Sequence, residues 1–267
     1  MASGNGAGAK WSGKWALITG ASAGIGLALA EELAASGANL VVTARRKERL
    51  DALAARLQTT HGIKVEVLPA DLGKAGAPAQ IRTFTDAKSV EVELLINNAG
   101  FGAYGAFHQS DVARQLEMIQ VNCAAVVQLT HLYLRDMVAR HHGDILIVAS
   151  VAGFQAVPYI STYAATKAFD LRFAEGLAAE VRRFGVNVCA LCPGSTSTEF
   201  REVAGQPENT FRGAETAEKV ARTGLKALAA GKSSVISGFK NMLSVEGQRL
   251  VPRGLVTSVA AKMFEPK

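Results

Sequence analysis

The feature that most constrains this chain is an alternation of short apolar runs with longer amphipathic ones, sustained from residue 14 almost to the end. The runs at 15–19, 39–43, 64–68, 93–97, 144–149, 186–191 and 234–237 are mostly apolar at consecutive positions. A strand with one wet face alternates in polarity, whereas a strand covered on both faces does not. Between them, 25–36, 47–60, 75–88, 111–140, 161–183 and 216–230 read as helices. Repeated strand–helix units imply right-handed crossovers. The expected fold class is therefore α/β, a doubly wound parallel sheet of about seven strands with helices on both faces. With 49 % hydrophobic residues among 267, the chain can bury a large core. No Pro- or Ser-rich linker divides it. The expected parts are a flexible N-terminal extension at 1–13, one domain at 14–240, and a C-terminal helical extension at 241–267 packed on the domain or on a neighbouring subunit.

Several function classes fall away. The net charge is +6, but the basic residues are scattered, with one local run at Arg45, Arg46, Lys47 and Arg49. A nucleic-acid binder shows a broad basic stripe with interleaved aromatics, so no nucleic-acid partner is expected. Cys189 and Cys192 have redox spacing, yet they lie in an apolar strand, where side chains three apart point to opposite faces. They read as core cysteines, and no His or Cys cluster suggests a metal. No apolar run reaches the 18 or so residues that span a bilayer, and the Gly- and Ala-rich start lacks a secretory core. A cytoplasmic protein without stable membrane insertion is expected.

In a doubly wound sheet, ligands bind beyond the carboxyl ends of the strands. There the first strand runs into Thr19-Gly20-Ala21-Ser22-Ala23-Gly24-Ile25-Gly26 as a helix opens. Glycines let the backbone approach a pyrophosphate, and a helix N-terminus offers free N–H groups. Gly20, Ser22, Ala23, Gly24, Ile25 and Gly26 are thus candidate cofactor residues, a plain tight turn being the competing reading. The second strand ends in Ala44, Arg45 and Arg46, where an NAD-selective site carries an acid. A guanidinium fork suits a 2′-phosphate, so NADP(H) is the expected cofactor. Asp71, followed by Leu72, is placed to meet the adenine edge or to cap a helix, or both.

The fourth strand ends in Asn97-Asn98-Ala99-Gly100 and the fifth in Ser150, thirteen residues before Tyr163; Lys167 follows at i+4. Together with the glycine loop and with Pro193, Gly194 and Thr198, these residues resemble the short-chain dehydrogenase/reductase family, over roughly residues 14 to 240. The resemblance implies a Rossmann fold and an NADP-preferring Ser-Tyr-Lys site. It also implies cofactor contacts from Asn98, Ala99, Gly100, Tyr163, Lys167, Pro193, Gly194, Thr196 and Thr198. Tyr163 would exchange a proton with a carbonyl or alcohol oxygen, its pKa lowered by the Lys167 ammonium. Ser150 would hydrogen-bond the same oxygen, and Lys167 would hold the nicotinamide ribose. Asn122 would bind a water linking Lys167 to solvent; a core amide is the alternative. The implied activity is reduction of a ketone or aldehyde, or oxidation of the alcohol, by a homodimer or homotetramer. A dinucleotide-binding regulator without turnover is the competing reading.

The small residues Ala164, Ala165 and Thr166 are expected to let the Tyr163 helix lie close to cofactor and sheet. Phe101, Tyr104, Phe154, Pro158 and Tyr159, with Phe200 and Phe211 from a lid-like loop after Thr198, are candidate pocket residues. They suggest a small-molecule substrate that is apolar and bulky. The apolar stripe near the C-terminus (Leu255, Val256, Val259, Ala260, Met263, Phe264) is expected to pack on the protein, a membrane-surface contact being the alternative.

Overall fold

The computed structural model describes residues 8–206 and 213–266. Seven strands form one parallel sheet: β1 (Trp15–Thr19), β2 (Asn39–Ala44), β3 (Val65–Pro69), β4 (Val92–Asn97), β5 (Gly143–Val148), β6 (Val186–Cys192) and β7 (Ser234–Ile236). Their order is β3-β2-β1-β4-β5-β6-β7, so strand order reverses between β1 and β4. Each predicted run is a strand, within one residue at either end.

The helices are α1 (Gly24–Ala35), α2 (Lys47–His61), α3 (Ala77–Ala87), α4 (Val112–Ile119), α5 (Ala125–Ala139), α6 (Ser161–Val181), α7 (Phe200–Ala204), α8 (Ala217–Ala229), α9 (Phe239–Gln248) and α10 (Arg253–Phe264). Alternate strand residues enter opposite layers. Ala16, Ile18, Leu40, Val42, Leu94 and Ile96 meet α1, α2 and α8 through Leu29, Leu33, Leu50, Leu57, Val220 and Leu225. Leu17, Val41 and Leu95 face the other layer, with Ile81 of α3, Leu129 and Met137 of α5, and Leu171 of α6. The two cysteines follow suit. Cys189 lies in the first layer and Cys192 in the second, and burial pushes both thiols up to about 12.

Three expectations need correction. The single helix read over 111–140 is interrupted: Gln120–Ala124 is a π turn between α4 and α5. The loop read after Thr198 contains α7; its Pro207 and Phe211 lie outside the described residues. The loose extension does not reach residue 13. Trp11 is fully buried, and its indole N–H donates to Asp144 Oδ2 at 2.7 Å. Lys10 and Asn187 donate to Asp144 Oδ1 at 2.7 and 2.9 Å. A buried carboxylate needs such donors, and two of the three precede the domain boundary read from sequence. Trp11→Ala therefore removes an aromatic core contact and one of these donors. Its expected cost is about 3–5 kcal/mol, read as a lower midpoint in urea unfolding.

α10 packs on its own chain through Ala260 and Phe264, which are 2 % and 8 % exposed, while Leu255, Val259 and Met263 face outward. No helix among the described residues is long and apolar enough to cross a membrane.

Candidate active site

The point where strand order reverses is held by one hydroxyl. Thr19 Oγ1 accepts from the backbone N–H groups of Asn98 and Ala99, both at 3.0 Å, and donates to Ile96 O at 3.2 Å. In return the Asn98 amide donates to Thr19 O at 2.9 Å and Gly20 O at 3.3 Å. These bonds join the ends of β1 and β4 and leave the glycine loop against residues 98–100. Gly20 has φ 68° and Gly24 φ 56°, a region costly for other residues. A side chain on Gly26 would collide with the Gly20 carbonyl and the Asn98 amide. The loop closes only because these positions are bare. Thr19→Val keeps the shape but strands two backbone donors and should cost about 1–3 kcal/mol for each one left unsatisfied; calorimetry against the parent protein measures it.

α1 opens from Ala23 with no side-chain cap and no acid in its first turn. Its amide groups and dipole are therefore free for an anion. Thr198 faces Gly24 across the loop, and its hydroxyl accepts from the Phe200 N–H at 3.3 Å. Ser22 takes Arg46 at 3.3 and 3.4 Å. Arg46 and Arg49 also clasp Glu199 at 2.8 and 2.6 Å. The two arginines together hold the Glu199 carboxyl below its usual range. Arg45 is freer, 60 % exposed and 3.9 Å from Glu117. Asp71 does not cap α3; it accepts from the Gly73 N–H at 3.0 Å and so shapes the turn after β3. Leu72 is buried in the core, so only its backbone faces the crevice. Thr196 donates to Gly194 O, and Pro193 O accepts from the Val151 N–H at 2.9 Å.

Ser150 lies two residues beyond β5 and caps the turn that follows, its hydroxyl accepting from the Ala152 N–H at 3.1 Å. The 3-10 turn Val151–Phe154 then crosses α6, where a side chain on Gly153 would strike the Lys167 carbonyl. Sequence reading passed over Gly153, whose mark is only its place between Ser150 and Tyr163. Ala164 and Thr166 are buried along this contact, whereas Ala165 points outward. The close approach thus rests on two of the three small residues, aided by Gly153. Tyr163 stands partly buried, with Ser150 near enough to act on its phenol. Its ring packs on Phe200 at 5.1 Å between centroids.

Lys167 is 5 % exposed. Its ammonium donates to Val148 O at 2.7 Å and Asp170 Oδ2 at 2.9 Å, and lies 6.0 Å from the Tyr163 ring centre. Burial disfavours that charge, but the Asp170 carboxylate, with Tyr163 and Cys123 adding to it, offsets this and the pKa is raised. The expected lowering of the Tyr163 pKa is reversed. Burial pushes the phenol up further than Lys167 and Ser150 pull it down, and Asp170 adds to the rise. Asp170 was not visible as a site residue from sequence; its spacing at i+3 from Lys167 was the available signal.

Asn122 lies in the π turn, fully buried. Its amide donates to Phe101 O and Thr166 Oγ1, both at 3.0 Å, and its oxygen accepts from the Phe101 N–H at 3.1 Å. One lone pair of that oxygen remains. It borders the bare face of Gly100, as does the Lys167 ammonium.

Beyond Tyr163 the surroundings are apolar. Phe264 of α10 packs with Val157, Ile160 and Ala164, against Tyr104, Tyr159 and Tyr163. Tyr104 donates its hydroxyl hydrogen to Phe264 O at 2.8 Å. Tyr159 sits at φ 65°, its carbonyl taken by the Gly105 N–H. Phe101 and Phe154 lie in the second core layer, and the Arg114 guanidinium covers Phe101 at 3.8 Å. The candidates therefore divide into pocket wall and core. Glu91, Glu93 and His142 form a mutual cluster, but at the amino ends of β4 and β5, away from this crevice.

The short chain dehydrogenase family profile matches residues 14–209. The chain belongs to this family. It is 32 % identical over 238 residues to a 7beta-hydroxysteroid dehydrogenase of Collinsella aerofaciens, covering 87 % of this chain and 89 % of that protein. It also resembles a solved short-chain dehydrogenase of Sphingobium yanoikuyae in complex with NADPH, with 33 % identity, TM-score 0.82, and 91 % and 95 % of the two chains covered. A bulky-bulky ketone specific alcohol dehydrogenase of Comamonas testosteroni shares 30 % identity and TM-score 0.76, over 91 % of this chain and 93 % of that one.

Proposed function

We propose that this short-chain dehydrogenase is an NADP(H)-dependent oxidoreductase that reduces a bulky, apolar ketone or aldehyde, or oxidises the matching alcohol. One observation carries the reading: Ser150, Tyr163 and Lys167 converge at the carboxyl edge of the sheet, beside a glycine loop too tight for side chains.

The residues suit a dinucleotide. The loop from Gly20 to Gly26, with Ser22, Ala23 and Ile25, and the uncapped start of α1 would hold the pyrophosphate. Asn98, Ala99 and Gly100 would line its path, with Asp71 and the Leu72 backbone toward the adenine. Pro193, Gly194, Thr196 and Thr198 would close the nicotinamide end. When bound, NADPH supplies a hydride to the carbonyl carbon. The Tyr163 phenol donates a proton to the carbonyl oxygen, and the Ser150 hydroxyl hydrogen-bonds that oxygen as charge develops. The Lys167 ammonium has one hydrogen beyond those given to Val148 and Asp170, which would be available to a ribose hydroxyl of the cofactor. Asn122 braces this face and keeps a lone pair for a water beside Lys167.

The aromatic wall supports a bulky apolar substrate, as do the steroid and bulky-ketone activities in the names of two relatives. Tyr163→Phe should lower kcat by at least about 100-fold, the scale of general acid catalysis, with NADPH binding by fluorescence unchanged. Consumption of NADPH over ketones graded by size and charge measures it, and undiminished turnover would overturn the proton-donor role.

Arg45, exposed and only loosely paired with Glu117, would offer its guanidinium to a 2′-phosphate, with Arg46 steadied on Ser22 beside it. Hydrogen bonds to charged groups contribute about 1.5–3 kcal/mol, or roughly ten- to a hundred-fold in binding. Ala44→Asp with Arg45→Ala should move the NADPH/NADH ratio of kcat/KM by at least that factor toward NADH. An unchanged ratio counts against the phosphate assignment.

A further inference from the structure

We propose that Asp170 is a positioning residue of this active site: its carboxylate fixes the Lys167 ammonium behind Tyr163, and its negative charge sets how much of that ammonium's field the phenol feels. This rests on the reading of Tyr163 as proton donor.

Asp170 is 1 % exposed and lies one helical turn beyond Lys167. Its Oδ2 accepts from Lys167 at 2.9 Å, while Oδ1 is buried with no hydrogen-bond partner among the described residues. A carboxylate tied into the fold for stability alone has its oxygens satisfied, as Asp144 has with Trp11, Lys10 and Asn187. Asp170 has a single partner, and that partner is the site lysine. An ammonium has three hydrogens. Val148 O takes one and Asp170 Oδ2 the second. The third points where it must, because the other two are anchored to β5 and α6. The bare face of Gly100 lies 3.5 Å from Nζ, reckoned to where a Cβ would stand. Asp170 thus fixes the direction of the remaining donor.

The other groups near this pair do not replace it. Cys123 from the π turn and Cys192 from β6 both sense Lys167 and Asp170, but burial pushes each thiol up to about 12, so they stay uncharged. Glu175, further along α6, acts on Cys192 and is engaged by Arg172 at 2.7 Å and Ser234 at 3.1 Å. Ser150 carries no charge. Asp170 is therefore the anion that offsets the lysine. Its charge favours the neutral phenol, opposing Lys167, and it keeps Lys167 protonated despite burial. Removing that charge lowers the pH at which the Tyr163–Lys167 pair loses its first proton, whichever of the two gives it up.

The test compares pH profiles of kcat/KM for carbonyl reduction, which needs the protonated phenol. Asp170→Asn keeps an acceptor for Lys167 and removes the charge; its basic limb should move to lower pH by about one unit or more, the scale of a charge a few ångströms away. Asp170→Glu, which restores the charge, should bring the limb back toward the parent position. Far-UV circular dichroism and NADPH binding confirm folding, and Asp170→Ser takes the place of Asp170→Asn if the latter does not fold. A folded neutral variant whose limb coincides with the parent's, whatever its thermal stability, overturns the proposal. Tyr163→Phe run beside it separates the two readings. If that variant stays active, the proton-donor reading has failed; if it is inactive while Asp170→Asn leaves the limb unmoved, only the role of Asp170 has.

Discussion

A buried ammonium organises this molecule. Removing a charge from water costs several kcal/mol unless acceptors replace the lost hydration, and Lys167 is 5 % exposed. Its acceptors come from two elements, the last carbonyl of β5 and a carboxylate on α6. Each makes a demand on the chain around it. To bring the end of β5 onto α6, the intervening turn must press against the helix, and Gly153 permits that. The helical position preceding Lys167, Thr166, faces inward and meets Asn122, which in turn grips both backbone groups of Phe101 just beyond β4. Helix α6, the π turn and two strand ends are thus one polar net in a place with little water. A π turn is an expensive irregularity in a helix, and here it presents the Asn122 amide to the loop after β4.

The second net, centred on Thr19, meets the first at Ala99 and Gly100. Parallel strands have no hairpin to bind their ends, so the loops beyond β1 and β4 depend on side chains for register. One hydroxyl with three partners and one amide with two do this work. Between the nets runs a crevice with polar groups on its floor and no room for side chains in its walls. Its shape follows from the sheet reversing its order at this point.

Much of this was legible in the residues because it is local. Two-sided apolar runs announce buried strands, and Tyr163 and Lys167 share a helical face by spacing alone. The glycine loop could be read for the same reason, lying between a strand and a helix in one short stretch. What escaped reading depends on partners far away in the chain. Trp11 looks like part of a loose leader until Asp144, 133 residues later, appears beside it. Arg46 reads as a free cation, yet Glu199 reaches it across 153 residues. The sign of the Tyr163 shift escaped for another reason. An ammonium lowers a phenol's pKa in proportion to its uncompensated charge, and spacing on a helix does not reveal burial or a compensating carboxylate. Asp170 lay in plain view three positions beyond Lys167, but an acid near a lysine on a helix is usually a solvated pair of little weight.

Stability is distributed unevenly around the crevice. On the side of Tyr163 and Lys167, the contacts are polar and buried or half-buried: the ion pair of Lys167 with Asp170, and the hydrogen bonds of Asn122 with Phe101 and of Thr19 with Asn98. On the other side, α7 is tied at its start by Glu199, whose side chain is 41 % exposed, and exposed ion pairs contribute about 0–1 kcal/mol. Its other ties include a Phe200–Tyr163 ring contact, the Phe200 N–H to Thr198, and a hydrogen bond from the Tyr104 N–H to Ala204 O. Segments held by few buried contacts open at low cost, whereas core nets open only with the whole fold. An active site that must hold a tyrosine and a lysine in fixed register, yet admit and release its substrate, needs both behaviours at once. The chain supplies them on opposite walls, with Tyr163 at the seam. Its backbone belongs to the long helix α6, and its ring rests on Phe200 of α7.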